Sequence, residues 1–248
     1  MSSRNLQHIP VAGGRLGSWH WRIVREPLPR DQLARRYDRM APRWGRLVNR
    51  LGYRRAYHAL FTQLMNKYLA PSTDKTLAVL DCGIGTGTYA AALCDASPVS
   101  ISLTGVDIST AMVSAAKTHL SSRGIDADVR RASIEQLPFE DQSFDIVIAA
   151  HVLEHLPDPA TAFAEMRRVL RPGGWVVLSL TRRSLLGTYV QTKWRTHCVT
   201  AEQCHQWLAE AGLQPVPLQT EVGGTYSRTS LTCLGRKNDA QSPWETTE

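Results

Sequence analysis

No run of apolar residues in this 248-residue sequence approaches the length of a bilayer-spanning helix, and residues 1–30 lack the uninterrupted apolar core of a secretion signal. Cysteine is sparse and scattered. Five residues (Cys82, Cys94, Cys198, Cys204 and Cys233), an odd number, read as reduced thiols of a cytoplasmic protein and argue against a disulfide framework. The run His197-Cys198-x5-Cys204-His205 matches no familiar zinc spacing. Cys204, Leu208 and Ala211 instead share one helical face, so no metal is expected. Acid is scarce at the front of the chain. Residues 1–67 hold thirteen Arg and one Lys against only Glu26, Asp31 and Asp38, a net +11 that leaves −4 for the rest. Such a stretch suits an anionic surface, whether phospholipid headgroups, RNA or an acidic substrate, and equally fits a plain solvated face.

What is present is ordinary in bulk. A hydrophobic content of 43% and a charged content of 21% fit one globular α/β domain with a modest extension. From residue 76 onward, apolar strand-like runs alternate with helical patterns. Strands are expected at 76–82, 100–107, 127–131, 144–150 and 175–180, with two more near 214–221 and 228–235. Helices are expected at 87–95, 109–122, 159–169 and 200–211, the last opened by a Thr200-x-x-Gln203 capping box. Regular β-α alternation implies a parallel, doubly wound sheet.

Upstream the pattern changes. In Ser18–Val24 the residues Trp19, Trp21 and Ile23 alternate with His20 and Arg22, which reads as a strand, paired in a hairpin through Gly13-Gly14 or packed as an arm. Helical runs then cover 31–41, with a break expected near Pro42, then 44–51 and 54–69. The expected organisation is an N-terminal arm (1–30), a helical cap (31–72), a ligand-binding core (73–236) and a disordered polar tail (237–248).

The core is organised around Leu77-Ala-Val-Leu-Asp81-Cys-Gly83-Ile-Gly85-Thr-Gly87. An apolar strand runs into three alternate glycines and then an Ala-rich helix, which lets a ligand lie against bare backbone at a helix N-terminus. Dinucleotide sites usually space their glycines G-x-G-x-x-G. Here the order is G-x-G-x-G with Asp81 two positions ahead. That carboxylate would repel a pyrophosphate and suit a ligand carrying an ammonium group. The stretch resembles motif I of the class I S-adenosylmethionine (SAM) dependent methyltransferases.

Further segments extend the resemblance over roughly residues 37–180. Tyr37-Asp-Arg-Met-Ala-Pro-Arg-Trp44 resembles the Y-D-x-x-A-x-x-Y/W segment ahead of the core in many small-molecule methyltransferases. There the helical cap covers SAM, which would set Tyr37 over its methionine part; the same Tyr would serve as an ordinary buried aromatic. Asp107, followed by Ile108, ends the second core strand, where an acidic side chain can accept bonds from both ribose hydroxyls or cap the next helix. Met112 stands where relatives pack an apolar side chain on adenine. Ala132-Ser133-Ile134-Glu135-Gln-Leu137-Pro-Phe139 resembles the G-D-A-E-x-L-P-F segment, whose Asp meets the adenine amino group and whose next N–H meets a ring nitrogen. Ser133 occupies the Asp position, and a neutral hydroxyl is a weaker acceptor than a carboxylate. Arg171-Pro-Gly-Gly174 resembles the family's R-P-G-G turn.

His151, in Ala150-His151-Val-Leu-Glu154-His155, follows a core strand whose end should border the ligand crevice. It is the candidate general base, with backbone-only contact as the competing reading, and His155 is expected to pack or cap.

The resemblance is closest to the ubiquinone/menaquinone methyltransferase-like (type 11) branch. It implies a Rossmann-like, mostly parallel seven-stranded sheet with an antiparallel last strand, and SAM as cofactor bound by Tyr37, Asp81, Gly83, Gly85, Gly87, Asp107, Ile108, Met112, Ser133, Ile134 and His151. The implied reaction is in-line methyl transfer to a small-molecule or lipid-like acceptor, under a lid including Tyr189, Trp194 and Arg195. The Arg- and Trp-rich N-terminus is expected to allow peripheral membrane contact. Two alternatives stay open: an RNA methyltransferase using that basic arm, and a non-catalytic partner subunit of the same fold. Nucleic acid is disfavoured because no N/D-P-P-Y/F motif stands where His151-Val-Leu-Glu154 does.

Overall fold

In a computed structural model the described residues are 9–26, 28–69, 75–185, 188, 191, 196–218 and 222–238. Two strands, β1 (Ile9–Leu16) and β2 (Trp19–Arg25), pair antiparallel, so the front of the chain takes the hairpin form, but the turn is Gly17-Ser18, and Gly13 and Gly14 lie inside β1 opposite Arg22 and Trp21. The 239–248 part of the expected tail, and Tyr189, Trp194 and Arg195, lie outside the described residues.

The cap is two helices, α1 (Arg30–Arg50) and α2 (Tyr53–Leu64), the second running into a π-helical turn, Met65–Leu69. The break expected at Pro42 does not occur; α1 runs straight through it. Proline removes one i→i−4 bond, here the one to the Asp38 carbonyl. The buried face of α1, which includes Leu33 and Ala41, holds the helix in register across that gap.

The core sheet comprises β3 (Leu77–Cys82), β4 (Ile101–Asp107), β5 (Ala127–Arg131), β6 (Phe144–Ala150), β7 (Leu170–Thr181), β8 (Gln214–Val216) and β9 (Ser230–Arg236), in the order β5-β4-β3-β6-β7-β9-β8. Strands β5 to β7 are mutually parallel through β4, β3 and β6, and β9 runs antiparallel to β7 and β8. This is the expected doubly wound sheet with its antiparallel last strand. Strand β8 is shorter than the expected 214–221. Helices α3 (Thr88–Ala96), α4 (Thr110–Ser121), α5 (Ala160–Val169) and α6 (Ala201–Glu210) cover its faces, and a short α7 (Gly224–Thr229) precedes β9. The Thr200–Gln203 capping box opens α6 as expected.

Central strands β3 and β6 are buried almost throughout because helices lie on both sides. One apolar cluster joins α2, α3 and α4 to one face; a second joins α5 and α6 to the other. Arg171-Pro-Gly-Gly174 is a bulge inside β7, not a turn ahead of it: Leu170 pairs with Phe144 and Trp175 with Ile146. A side chain at Gly174 would meet the Arg171 and Asp145 carbonyl oxygens at 2.9 and 3.0 Å, so backbone crowding demands glycine there.

Candidate functional site

A cavity of about 560 Å³ lies between the C-terminal ends of β3, β4 and β6 and the underside of α1 and α2. Its floor is the glycine elbow. Gly83 has φ +77°, and a Cβ there would stand 2.7 Å from Val152 Cγ2. Gly85 has φ +54° with nothing within 4 Å of a Cβ, so its bare backbone faces the cavity. His119 of α4 fixes the loop from behind, its Nδ1 2.7 Å from the Thr86 carbonyl oxygen.

Asp107 ends β4 and joins three parts of the site. Its Oδ2 accepts from the Gly85 N–H at 3.0 Å and its Oδ1 from the Ser109 N–H at 2.9 Å. Burial raises its carboxyl above the ordinary value, while those two backbone donors pull it back down. The cap of α4 is Ser109, whose Oγ accepts from Met112 N at 3.1 Å, and not Asp107 itself. Asp81, at the end of β3, is buried with neither carboxylate oxygen hydrogen-bonded among the described residues. Burial first, and the Asp107 charge second, raise its carboxyl well above the usual carboxylate range. An orphaned buried carboxylate just upstream of a bare-backbone loop fits a ligand bearing an ammonium group.

Of the residues expected to bind cofactor, Tyr37, Gly83, Gly85, Asp107, Ile108, Met112, Ser133, Ile134 and His151 line the cavity; Asp81 and Gly87 do not. Gly87 stands instead at the N-cap of α3 with φ +74°. The Ser133 Oγ accepts the Glu135 N–H at 3.2 Å, so its hydroxyl is shared with its own turn.

Tyr37 hangs from α1, its hydroxyl 2.8 Å from His155 Nε2. Burial raises the Tyr37 phenol, with Asp107 and Glu154 adding to the shift. His155 moves the other way: burial lowers it to about 4, so the ring is neutral near pH 7. At the rim Arg30 of α1 forms an ion pair with Glu135.

His151 takes φ +56°, a left-handed conformation rare outside glycine, directly after β6. Its Nδ1 lies 3.2 Å from both Glu154 Oε1 and Thr181 Oγ1, and its Nε2 3.3 Å from Ser230 Oγ. Glu154 is fully buried, and its Oε1 also accepts from Thr181 N and Thr181 Oγ1, each at 2.8 Å. Burial alone would raise this carboxyl; the hydrogen bond to His151, with the His151 and His155 imidazoles close by, outweighs it and holds Glu154 below the usual range.

Glu154, Thr181 and Asp38 were not marked by sequence reasoning. Asp38 Oδ1 accepts from Ser109 Oγ at 2.5 Å and from Ala111 N at 3.2 Å, docking the cap on the N-terminus of α4. The usable signals were Glu154 three residues after His151, and Asp38 next to Tyr37.

Comparison with known proteins agrees with this geometry. Residues 80–178 match the family model described as a methyltransferase domain. The chain is 34% identical over 113 residues to a ubiquinone biosynthesis O-methyltransferase of Nitrosomonas europaea, covering 45% of this chain and 46% of that protein. It is 30% identical over 162 residues to a demethylmenaquinone methyltransferase of Staphylococcus aureus, covering 65% of each. The chain thus spans about half to two thirds of the length of these curated relatives. A solved SAM-dependent methyltransferase of Thermotoga maritima, described as a possible histamine N-methyltransferase, superposes with a TM-score of 0.61 at 20% identity, over 83% of this chain and 100% of that one. It shares the fold. Residues 80–178 thus match a methyltransferase domain, and the ubiquinone and demethylmenaquinone methyltransferases are among the proteins to which the chain is similar.

Proposed function

We propose that this protein transfers a methyl group from SAM to a small-molecule or lipid-like acceptor whose reacting atom is a hydroxyl oxygen. The observation that carries the reading is the convergence of the bare Gly85 backbone, Asp107 and His151 on one cavity. SAM supplies an electrophilic methyl carbon on a cationic sulfur. Asp107, already oriented by two backbone N–H groups, has acceptor capacity left for ribose hydroxyls. Asp81 lies buried behind the glycine loop, outside the cavity lining, where its carboxyl would favour the ammonium of the amino acid end through the loop. Met112 and Ile134 give apolar walls for adenine, and Ser133 a neutral acceptor for its amino group.

The acceptor half is framed by Leu33, Trp44, Leu47, Leu51 and Tyr53, a surface for an apolar or aromatic body. The Glu154 carboxylate can only accept, which keeps the His151 proton on Nδ1, and the Nε2 lone pair, which meets Ser230 Oγ at 3.3 Å, would exchange that contact for the acceptor hydroxyl. That hydroxyl proton passes to Nε2 as the oxygen attacks, and Glu154 stabilises the imidazolium so formed. Orientation in a water-poor chamber supplies the remainder of the catalysis. The ubiquinone and menaquinone enzymes among the relatives support a small-molecule acceptor.

Calorimetry with SAM and S-adenosylhomocysteine tests the cofactor, and mass spectrometry of a phenol and quinol panel tests the acceptor. No heat of binding from either compound would overturn the reading.

A further inference from the structure

The outer face of the cap carries a feature that methyl transfer does not use. Arg35, Arg39, Arg43, Arg46 and Arg50 recur at intervals of four, four, three and four along α1, and all are exposed. That spacing sets them in one row, roughly 22 Å long at 1.5 Å per residue. Among the described residues the only carboxylate paired with this row is Asp31, 3.6 Å from Arg35. The opposite face of the same helix, through Leu33, Tyr37, Trp44 and Leu47, lines the cavity. The arginines therefore do not serve the ligand site.

The hairpin adds a second, independent observation. Its closing pair is Leu16 opposite Trp19, and these side chains are 76% and 78% exposed. A single exposed leucine is ordinary; a leucine and a tryptophan together at the tip of a two-stranded ribbon are not. The next pair inward is Arg15 opposite His20. Only residues 26–29 separate the hairpin from α1, so its base lies within roughly 18 Å of the start of the helix.

The geometry points to a docking surface for an anionic phospholipid bilayer: the arginine row lies against headgroups while Leu16 and Trp19 enter the interface. The combination selects the partner. A cationic row attracts any polyanion, but an aliphatic side chain held fully in water gains nothing from a phosphodiester backbone. In the headgroup–acyl boundary both Leu16 and Trp19 lose water-exposed apolar area, and tryptophan favours that depth. The inference does not depend on the proposed methyl acceptor, since neither feature touches the cavity.

Co-sedimentation of the full chain with phosphatidylcholine vesicles, with and without phosphatidylglycerol, tests it. Binding is expected only with the anionic lipid, and it should weaken as salt rises. The variant R43E/R46E/R50E should partition at least about tenfold less, and L16S/W19S about tenfold less. Both should keep the parent's unfolding temperature and S-adenosylhomocysteine affinity. Should R43E/R46E/R50E fold poorly, R43Q/R46Q/R50Q replaces it, with the same loss expected. Absence of anionic-vesicle binding, or variants that bind like the parent, would overturn the proposal. So would capture by an RNA homopolymer in preference to vesicles.

Discussion

Asp38 on the cap helix accepts a hydrogen bond from Ser109, the residue that caps α4, at 2.5 Å. Ser109 in turn donates its backbone N–H to Asp107. The lid is thus latched two residues from the carboxylate expected to hold the ribose. Replacing Asp38 by Ala removes an acceptor at a helix N-terminus and should destabilise the chain by about 1–2 kcal/mol. Cofactor affinity should fall severalfold with it. Thermal unfolding and calorimetry on Asp38→Ala check both.

Asp107→Ala should weaken SAM and S-adenosylhomocysteine binding on the order of a hundredfold or more. It also leaves the Gly85 and Ser109 N–H groups without acceptors, at a stability cost of about 1–3 kcal/mol. Asp107→Asn keeps an acceptor oxygen and should fall between the parent and Ala in both measurements.

Glu154→Gln separates charge from shape. If His151 takes the acceptor proton, this variant should lower kcat about tenfold to a hundredfold. KM for SAM should barely move. A rate profile identical to the parent's would remove His151 from the chemistry.

Stability should respond to acid through His155. Its folded value, about 4, lies below the ordinary 6.5. The unfolded chain therefore takes up this proton first, and the contribution of the neutral ring is lost as pH falls from about 6.5 toward about 4. Glu154, also held low in the fold, adds in the same sense below the ordinary carboxylate range. In His155→Phe the denaturation midpoint should vary less over that window.

Gly83→Ala combines a left-handed φ of +77° with a Cβ 2.7 Å from Val152 Cγ2. The conformational part alone is about 1–2 kcal/mol. Adding Val152→Ala removes the 2.7 Å Cγ2 contact but leaves the Val152 Cβ 2.9 Å away and the conformational strain untouched, so the double variant should recover only a small part of the lost stability and SAM affinity.

The sheet was legible because β3, β4 and β6 are short apolar runs, the first two closed by Gly83 and Asp107, and α6 announces itself by its capping box. Pro42 misled because a local rule was applied where tertiary contacts decide: one lost backbone bond is outweighed by a helix face buried on the core. The Arg171–Gly174 bulge misled similarly, since a proline–glycine run reads as a turn even when flanking residues keep pairing. At the cavity, the spacing pointed to Asp107, Gly83 and Gly85, which line it, and to Gly87, which instead stands at the N-cap of α3. Glu154 did not, because its meaning depends on Thr181, twenty-seven residues away in the chain and reached only through the sheet. Asp38 likewise gains its role from Ser109, seventy-one residues downstream.

The lone carboxylate of Asp81 has a consequence for how the chamber fills. Burial without a counter-ion pushes this acid toward its protonated form. Once a positive charge settles beside it, the ionised form becomes the favoured one and the proton departs. Entry of a cation near the loop would then be accompanied by release of a proton from Asp81, which buffers the charge behind the chamber wall.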